Sequence, residues 1–275
     1  MTGTLLDVCL ALLLVSAAAV TLVDGDASEP TVPEPDRAGA TADALATTTA
    51  AVNYTLATGS TDPSNGSTAS PEAERVAHAT LAEHLARAAV RSAALDGTRL
   101  SPATGDYRRA VRRTVATAIG TNARVRATWT PVPGTNLSGE IRVGPSPPPT
   151  ADVAAARFAV PVAPGTSAVA GANAAPNATG IRRAIAVLFP PDRIAATARD
   201  DGPAATAVRT RYRRAGDALG VDAVGALERE SPRAANRLLA TALAERTDAA
   251  AASPREGPHS DRAGAVTVVV RTWSP

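Results

Sequence analysis

Three histidines are the side chains in this sequence best suited to acid–base or metal chemistry: His78, His84 and His259. On a helix, His78 and His84 would be separated by about 240°, so they could not bind one metal ion from the same face. Glu74 and His78 lie four residues apart, a spacing that favours a surface pair on a helix. No His-Glu-x-x-His, Gly-x-Ser-x-Gly or paired-cysteine motif is present. We therefore predict no catalytic residue, no metal site and no cofactor, and expect a protein that is not an enzyme.

The basic side chains exclude further classes of protein, because all 28 of them are arginine and none is lysine. Phosphate-binding loops, Schiff-base enzymes and kinases need a lysine, so the sequence excludes these classes. The neighbouring acids Asp200 and Asp201, and likewise Glu228 and Glu230, are expected to be solvated rather than to form an acid–base pair.

Arginines are concentrated in one segment. Residues 99–143 hold eight arginines against two acids, whereas residues 1–43 hold seven acids against one arginine. A basic segment can bind nucleic acid, anionic headgroups or an acidic protein, or can form a solvated, salt-bridged face. Aromatic residues make up 3% of the chain, which argues against stacking on single-stranded nucleic acid. We predict a partner-binding surface at four arginines: Arg108, Arg109, Arg112 and Arg113.

One amphipathic helix must position these arginines. It is predicted over residues 106–119 and ends at Gly120, with Val111 and Val115 on the side opposite the arginines. Further helices are predicted over 38–57, 71–95, about 203–217 and 232–250, together with a short helix that ends at Phe189.

A change to period-two alternation predicts strands. Residues 124–129 and 140–143 form a hairpin around a turn at 131–136, and further strands are expected over 156–162 and 265–273. The last strand is apolar on both faces near its middle, which is typical of an interior strand. Trp129 and Trp273 are expected in the core. The predicted fold class is α+β, a small antiparallel sheet packed on helices.

The N-terminus carries the longest apolar segment. Leu5–Val23 contains a single charge, Asp7, and as a helix it would be about 28 Å long, close to the ~30 Å hydrocarbon core of a bilayer. We predict a transmembrane anchor over 1–23, an acidic linker rich in Pro, Ser and Thr with a weak helical pattern over 24–70, and an extracytoplasmic α+β domain over 71–275. A cleaved signal peptide and a buried apolar helix are the alternatives.

Four glycosylation sequons support export of the domain. Their asparagines are Asn53, Asn65, Asn136 and Asn177. The only cysteine, Cys9, lies inside the apolar segment, so no intrachain disulfide can form. We expect a single-pass protein of the cell membrane, with the bulk of the chain extracytoplasmic and no nucleic-acid partner.

Several segments resemble one family. LLDVCLALLLVSAA, AVNYTLA, LFPPD, YRRA and the terminal VTVVVRTWSP are similar to an uncharacterised family of haloarchaeal membrane-anchored proteins. The resemblance implies a cell-surface location beside pilus-like or type II secretion-like machinery, and it supplies no catalytic residue. We therefore expect a structural or assembly accessory that acts through contacts with other envelope proteins. An envelope hydrolase with an unrecognised site, or a protein secreted after signal cleavage, is the alternative.

Overall fold

The computed structural model describes residues 36–55, 74–101, 104–132, 134–162, 176–197, 202–250 and 264–274. The predicted anchor over 5–23, most of the predicted linker and the expected helix start at residue 71 lie outside these ranges. Within the described ranges, no helix has both the length and the apolar character needed to cross a membrane.

Helices and strands are mixed in the first part of the fold. In chain order they are α1 (Arg37–Thr47), β1 (Thr49–Thr55), β2 (Glu74–Thr80), α2 (Leu81–Arg91), β3 (Ala94–Leu95), β4 (Thr98–Arg99), α3 (Gly105–Ile119), β5 (Ala123–Trp129), β6 (Leu137–Val143) and β7 (Val153–Pro161). Five helices and one strand follow: α4 (Pro176–Leu188), α5 (Pro191–Thr197), α6 (Pro203–Leu219), α7 (Ala223–Arg229), α8 (Pro232–Ala250) and β8 (Ala265–Trp273).

Six strands form one antiparallel sheet in the order β4-β3-β6-β5-β8-β7, while β1 and β2 form a separate antiparallel pair. The strand β8 comes from the end of the chain and lies between β5 and β7. Its alternate valines, Val266, Val268 and Val270, are fully buried, whereas Val269 on the opposite face is half-buried. The predicted α+β class and the predicted hairpin are thus confirmed.

Helices cover one face of the six-stranded sheet, and this inner face supplies much of the core. Val125 lies opposite Val270, and Ala127 lies opposite Val268; all four side chains are fully buried. Helix α2 contacts β5, β6, β7 and β8, and α1 contacts β7 and β8. Close approach is possible because β6 has Gly139 at the contact: a Cβ there would lie 2.1 Å from the carbonyl oxygen of Ala89 on α2.

The C-terminal helices α4–α8 pack mainly on one another, and their buried side chains join the same hydrophobic cluster as the sheet. Both predicted tryptophans are in the core: Trp129 is fully buried and Trp273 nearly so. Helix α1 and strand β1 lie within the predicted linker 24–70, and they contribute Leu45 and Val52 to the hydrophobic cluster.

Two predicted helices are wrong in part. The helix expected over 71–95 is strand β2 as far as Thr80, and α2 begins only at Leu81. Thr80 is the N-cap residue, and Glu83 completes a capping box with it. The helix expected over 38–57 ends at Thr47, after which β1 begins. Both errors have one cause: the pairing of β1 with β2, seven residues in register, is a long-range contact that overrides local helical patterns.

Candidate functional site

Helix α3 holds the four predicted partner-binding arginines in two environments. Arg109, Arg112 and Arg113 are exposed, whereas Arg108 is half-buried. The opposite side of the helix is fixed in the core, since Val111 and Val115 are fully buried. Helix α3 was predicted correctly, and its exposed arginines therefore stand on a rigid support.

One of the exposed arginines of α3 already forms an ion pair. Arg109 pairs with Asp106 at 3.0 Å. The Asp106 carboxylate also accepts a hydrogen bond from the Thr55 backbone N–H at 2.7 Å. That hydrogen bond, followed by the contact with Arg109, lowers the pKa of Asp106. Asp106 therefore ties α3 to strand β1.

Arg108 is unsuited to free contact with a partner. Burial, followed by the positive charges of Arg99 and Arg112, lowers its pKa. Its Nε is buried and has no hydrogen-bond partner among the described residues. In the same ranges Arg112 and Arg113 form no ion pair. The exposed arginines of α3 that form no ion pair among the described residues are thus Arg112 and Arg113.

A second basic surface lies on the face of the six-stranded sheet that α1 and α2 leave uncovered, and we call it the open sheet face. Strand alternation and register place five arginines on it: Arg124 and Arg126 of β5, Arg142 of β6, Arg157 of β7 and Arg271 of β8. All are exposed except Arg124, which is half-buried. Glu140 of β6 is the acid on this face.

Ion pairs compensate only part of the open sheet face. Glu140 pairs with Arg126 at 2.6 Å and also with Arg142, and the two arginine side chains remain 52% and 53% exposed. Arg124 donates to the hydroxyl of Ser146, which carries no charge. Arg157 and Arg271 have no ion-pair partner among the described residues. The face therefore retains a net positive charge that can bind anions.

A buried histidine–tyrosine pair lies beneath strand β1. His84 of α2 is fully buried, with Nδ1 2.9 Å from the Tyr107 hydroxyl and Nε2 3.0 Å from the carbonyl oxygen of Ala50. The Ala50 oxygen can only accept, so Nε2–H donates to it, and in the neutral ring Nδ1 accepts from the Tyr107 O–H. His84 thus links α2 to α3 and β1.

The surroundings of this pair favour the uncharged forms of both side chains. Burial lowers the pKa of His84, and the charges of Arg87 and Arg91 lower it further. Burial raises the pKa of Tyr107 to about 12. The Arg91 guanidinium lies 4.4 Å from the centre of the Tyr107 ring. Because His84 is sealed from solvent and both ring nitrogens are occupied, its role is to join three elements rather than to transfer protons.

A second buried tyrosine lies among the C-terminal helices. The Tyr212 hydroxyl donates to Asn236 Oδ1 at 2.7 Å, and Asn236 Nδ2 donates to the carbonyl oxygen of Phe189 at 2.7 Å. Arg211 donates to the Leu188 carbonyl oxygen and lies 5.1 Å from the centre of the Phe189 ring. Burial, followed by the charge of Arg91, lowers the pKa of Arg211 to about 10.

The remaining predicted chemical groups do not converge. His78 is exposed on β2, so its predicted helical pairing with Glu74 is wrong, because residues four apart on a strand are well separated. Glu228 contacts Arg209 at 3.6 Å on the surface. Within the described ranges, no three His, Cys, Asp or Glu side chains are placed to hold a metal ion. His259, Asp200 and Asp201 lie outside these ranges.

The sequon asparagines occupy different settings. Asn53 is exposed on β1, and Asn136 is exposed before β6, where its Nδ2 donates to Asp96 at 2.8 Å. A glycan is attached through that nitrogen and replaces one of its two hydrogens, so a glycosylated Asn136 would keep one N–H that can donate to Asp96. Asn65 and the side chain of Asn177 lie outside the described residues.

Sequence reasoning missed Arg157 and Arg271 as parts of a basic surface, because both lie far along the chain from Arg124. A signal was present: VRATWTP at residues 125–131 resembles VRTWSP at 270–275. The two segments lie largely in neighbouring antiparallel strands, in each of which a buried valine precedes an arginine of the open sheet face, and Arg124 lies opposite Arg271. The likeness reflects a shared sheet environment.

Comparison with known proteins gives one match. Residues 6–273 match a family of unknown function, DUF7284. No curated protein and no solved structure matches the chain.

Proposed function

Since the chain belongs to DUF7284, a family of unknown function, we propose a role from its own residues: a single-pass, membrane-anchored protein of the cell envelope that acts by protein–protein contacts. In this proposal residues 5–23 are the anchor and the bulk of the chain is extracytoplasmic. The protein is not an enzyme and serves as a structural or assembly accessory. The sequence resemblance suggests haloarchaeal origin and partners in pilus-like or type II secretion-like machinery.

The observation that carries the proposal is the exposed side of α3. Arg112 and Arg113 project uncompensated positive charge from a helix whose other side is buried. A rigid helix with exposed arginines is suited to bind an acidic surface of another protein, because arginine forms directional, charge-assisted hydrogen bonds with carboxylates. The partner should therefore present several Asp or Glu side chains to α3.

Charge reversal tests this surface. We expect R112E/R113E in the native host to lose the membrane proteins that co-purify with the wild type. The matched control R193E/R237E reverses two exposed arginines on α5 and α8 and should keep those partners. Thermal unfolding of both variants checks that the fold is intact. If R112E/R113E retains the full set of partners, α3 is not the contact surface.

Topology is tested separately by shaving intact cells with protease. We expect the N-terminal peptide to stay with the membrane while peptides beyond residue 37 are released. Mass spectrometry of the peptides that contain Asn53 and Asn136 then shows whether these exposed sequons carry glycans. A chain that is wholly protected and unmodified would contradict the extracytoplasmic location.

A further inference from the structure

The open sheet face arranges its arginines in two adjacent rows across the strands. Strand register places Arg271 and Arg124 side by side in the first row, with Ala155 next to Arg271. In the second row Arg157, Val269, Arg126 and Arg142 lie on four successive strands. The residues next to the arginines in these rows, Ala155 and Val269, are uncharged, so the guanidinium groups lie on one face of four neighbouring strands.

Like charges are direct neighbours in both rows. Arg124 lies opposite Arg271, and Arg126 lies opposite Arg142. Directly opposed like charges destabilise a sheet unless counter-charges are supplied. Glu140, which lies opposite Thr128 beside the second row, pairs with Arg126 and Arg142 of that row, whereas the first row has no acid among the described residues. The open sheet face therefore carries more arginines than acids. Three of them have no acidic partner among the described residues: Arg124, Arg157 and Arg271.

The shape of the face limits which anion fits. All the arginines except the half-buried Arg124 are exposed, and they are spread over four strands, so they do not enclose one small ion. Among the described residues no aromatic side chain is exposed, and a platform for stacking nucleic-acid bases is therefore missing there. An array of arginines spread over four strands matches an extended array of phosphates, the arrangement at the surface of an anionic bilayer.

We propose that the open sheet face binds an anionic lipid surface, with Arg124, Arg157 and Arg271 contacting headgroup phosphates. This inference rests on the proposed anchoring, since a chain held at a bilayer meets headgroups at high local concentration. Each arginine near such a surface strengthens binding by roughly fivefold. Removal of three arginines should therefore weaken binding by about 100-fold.

Arginine labelling tests the contact directly. The full chain is combined with vesicles of phosphatidylcholine alone or of equal parts phosphatidylcholine and phosphatidylglycerol, and phenylglyoxal modification of each arginine is followed by mass spectrometry. We expect the phosphatidylglycerol vesicles to slow labelling of Arg124, Arg157 and Arg271 several-fold, an effect that high salt reverses. Arg193 and Arg237, exposed on α5 and α8, should label equally on both vesicles. Equal labelling of all five arginines on both vesicles overturns the proposal.

Two further arms identify the source of the anion. If inorganic phosphate alone slows labelling as much as the vesicles do, the face binds free phosphate and the lipid proposal fails. If pure lipids have no effect but native membranes protect the face until protease removes their proteins, the occupant is an acidic protein, and the lipid proposal again fails.

Charge-reversal variants separate this inference from the anchor. R124E/R157E/R271E removes three positive charges and adds three negative ones, so its sheet face should bind phosphatidylglycerol vesicles at least about 100-fold more weakly. The control R193E/R213E/R237E reverses three exposed helix arginines and should bind like the wild type. Extraction with alkaline carbonate tests the anchor alone. If alkaline carbonate releases the wild type from both kinds of vesicle, the anchor is refuted. The role of the open sheet face is still decided by the salt-sensitive difference in vesicle binding between the two variants.

Discussion

The tetrapeptide Tyr-Arg-Arg-Ala occurs twice in described helices, and its two copies are built into the core in different ways. Tyr107 and Tyr212 are both buried, and so are the alanines three residues later, Ala110 and Ala215. The Tyr107 hydroxyl, however, bonds to a histidine, whereas the Tyr212 hydroxyl bonds to Asn236. Local sequence therefore sets which side of the helix is buried, and distant partners decide whether the buried group is sensitive to pH.

The arginine contacts also differ between the cluster around Tyr107 and the cluster around Tyr212. Arg91 lies over the Tyr107 ring, and it also lies 5.7 Å from the centre of the Tyr54 ring. Arg211 lies over Phe189, whose ring centre is 4.6 Å from that of Tyr212. Because Arg91 affects the pKa of Arg211, the two clusters are electrostatic neighbours. In the Tyr107 cluster the arginine over the ring, Arg91, comes from a different helix than the tyrosine. In the Tyr212 cluster it is Arg211, the residue directly before the tyrosine.

The largest effect is expected when either ring is removed. Tyr107→Ala and Tyr212→Ala each leave a cavity in a fully packed region, and each should lower the free energy of unfolding by about 3–5 kcal/mol. Denaturant unfolding of the full chain at neutral pH measures both values. The exposed Arg237→Ala on α8 is the control and should change little. A loss below about 1 kcal/mol at one tyrosine would show that its cluster does not support the fold.

Acid should distinguish the two clusters. The pKa of His84 is lowered in the folded protein, so the unfolded chain binds more protons as the pH falls below about 6.5. Stability is then complete above that pH and decreases as the pH falls towards the folded pKa, with a slope of at most about 1.4 kcal/mol per unit. His84→Gln, which keeps a donor and an acceptor, should remove this contribution to the slope. Urea unfolding between pH 7 and pH 5 measures it.

Asn236→Ala is the matched variant in the other cluster. It leaves the Tyr212 hydroxyl and the Phe189 carbonyl oxygen without their partner, so it should lower stability by about 1–3 kcal/mol. Because no histidine is involved, the wild-type dependence on pH should remain.

Asp106 contributes a separate loss of stability at lower pH, since the lowered pKa of its carboxyl group affects stability only below about pH 3.8. If His84→Gln keeps the full slope between pH 7 and pH 5, His84 is not its source.

Periodic segments of the fold were predictable because their packing follows their own sequence. Helix α3 and the hairpin of β5 and β6 have clear 3.6-residue and two-residue periods, and β8 has the apolar run of an interior strand. Strand β2 was not predictable in this way. Its sequence was predicted as part of a helix over 71–95, whereas the capping box of Thr80 and Glu83 marks the true start of α2.

The site was less predictable than the fold because sequence distance concealed which arginines are neighbours. Residues 99–143 read as one basic segment, yet Arg112 lies on a helix and Arg126 on the open sheet face. Sheet order then brings Arg157 and Arg271 beside the arginines of β5. The position of His84 against Tyr107 is equally long-range, since it depends on how α2 crosses α3.

The smallest expected effect sharpens the comparison of the two hydroxyl groups. Tyr107→Phe leaves His84 Nδ1 without its hydrogen-bond donor, and Tyr212→Phe leaves Asn236 Oδ1 without one, so each should lower stability by about 0.5–1.5 kcal/mol. In the double variant the two losses should add if the hydroxyl groups act independently. The pH dependence of stability should differ between Tyr107→Phe and Tyr212→Phe, because protonation turns His84 Nδ1 from an acceptor of the Tyr107 hydroxyl hydrogen into a donor to its oxygen. Unfolding of both variants at pH 7 and pH 5 measures these differences, and identical pH dependence would show that the Tyr107 hydroxyl does not sense the charge of His84.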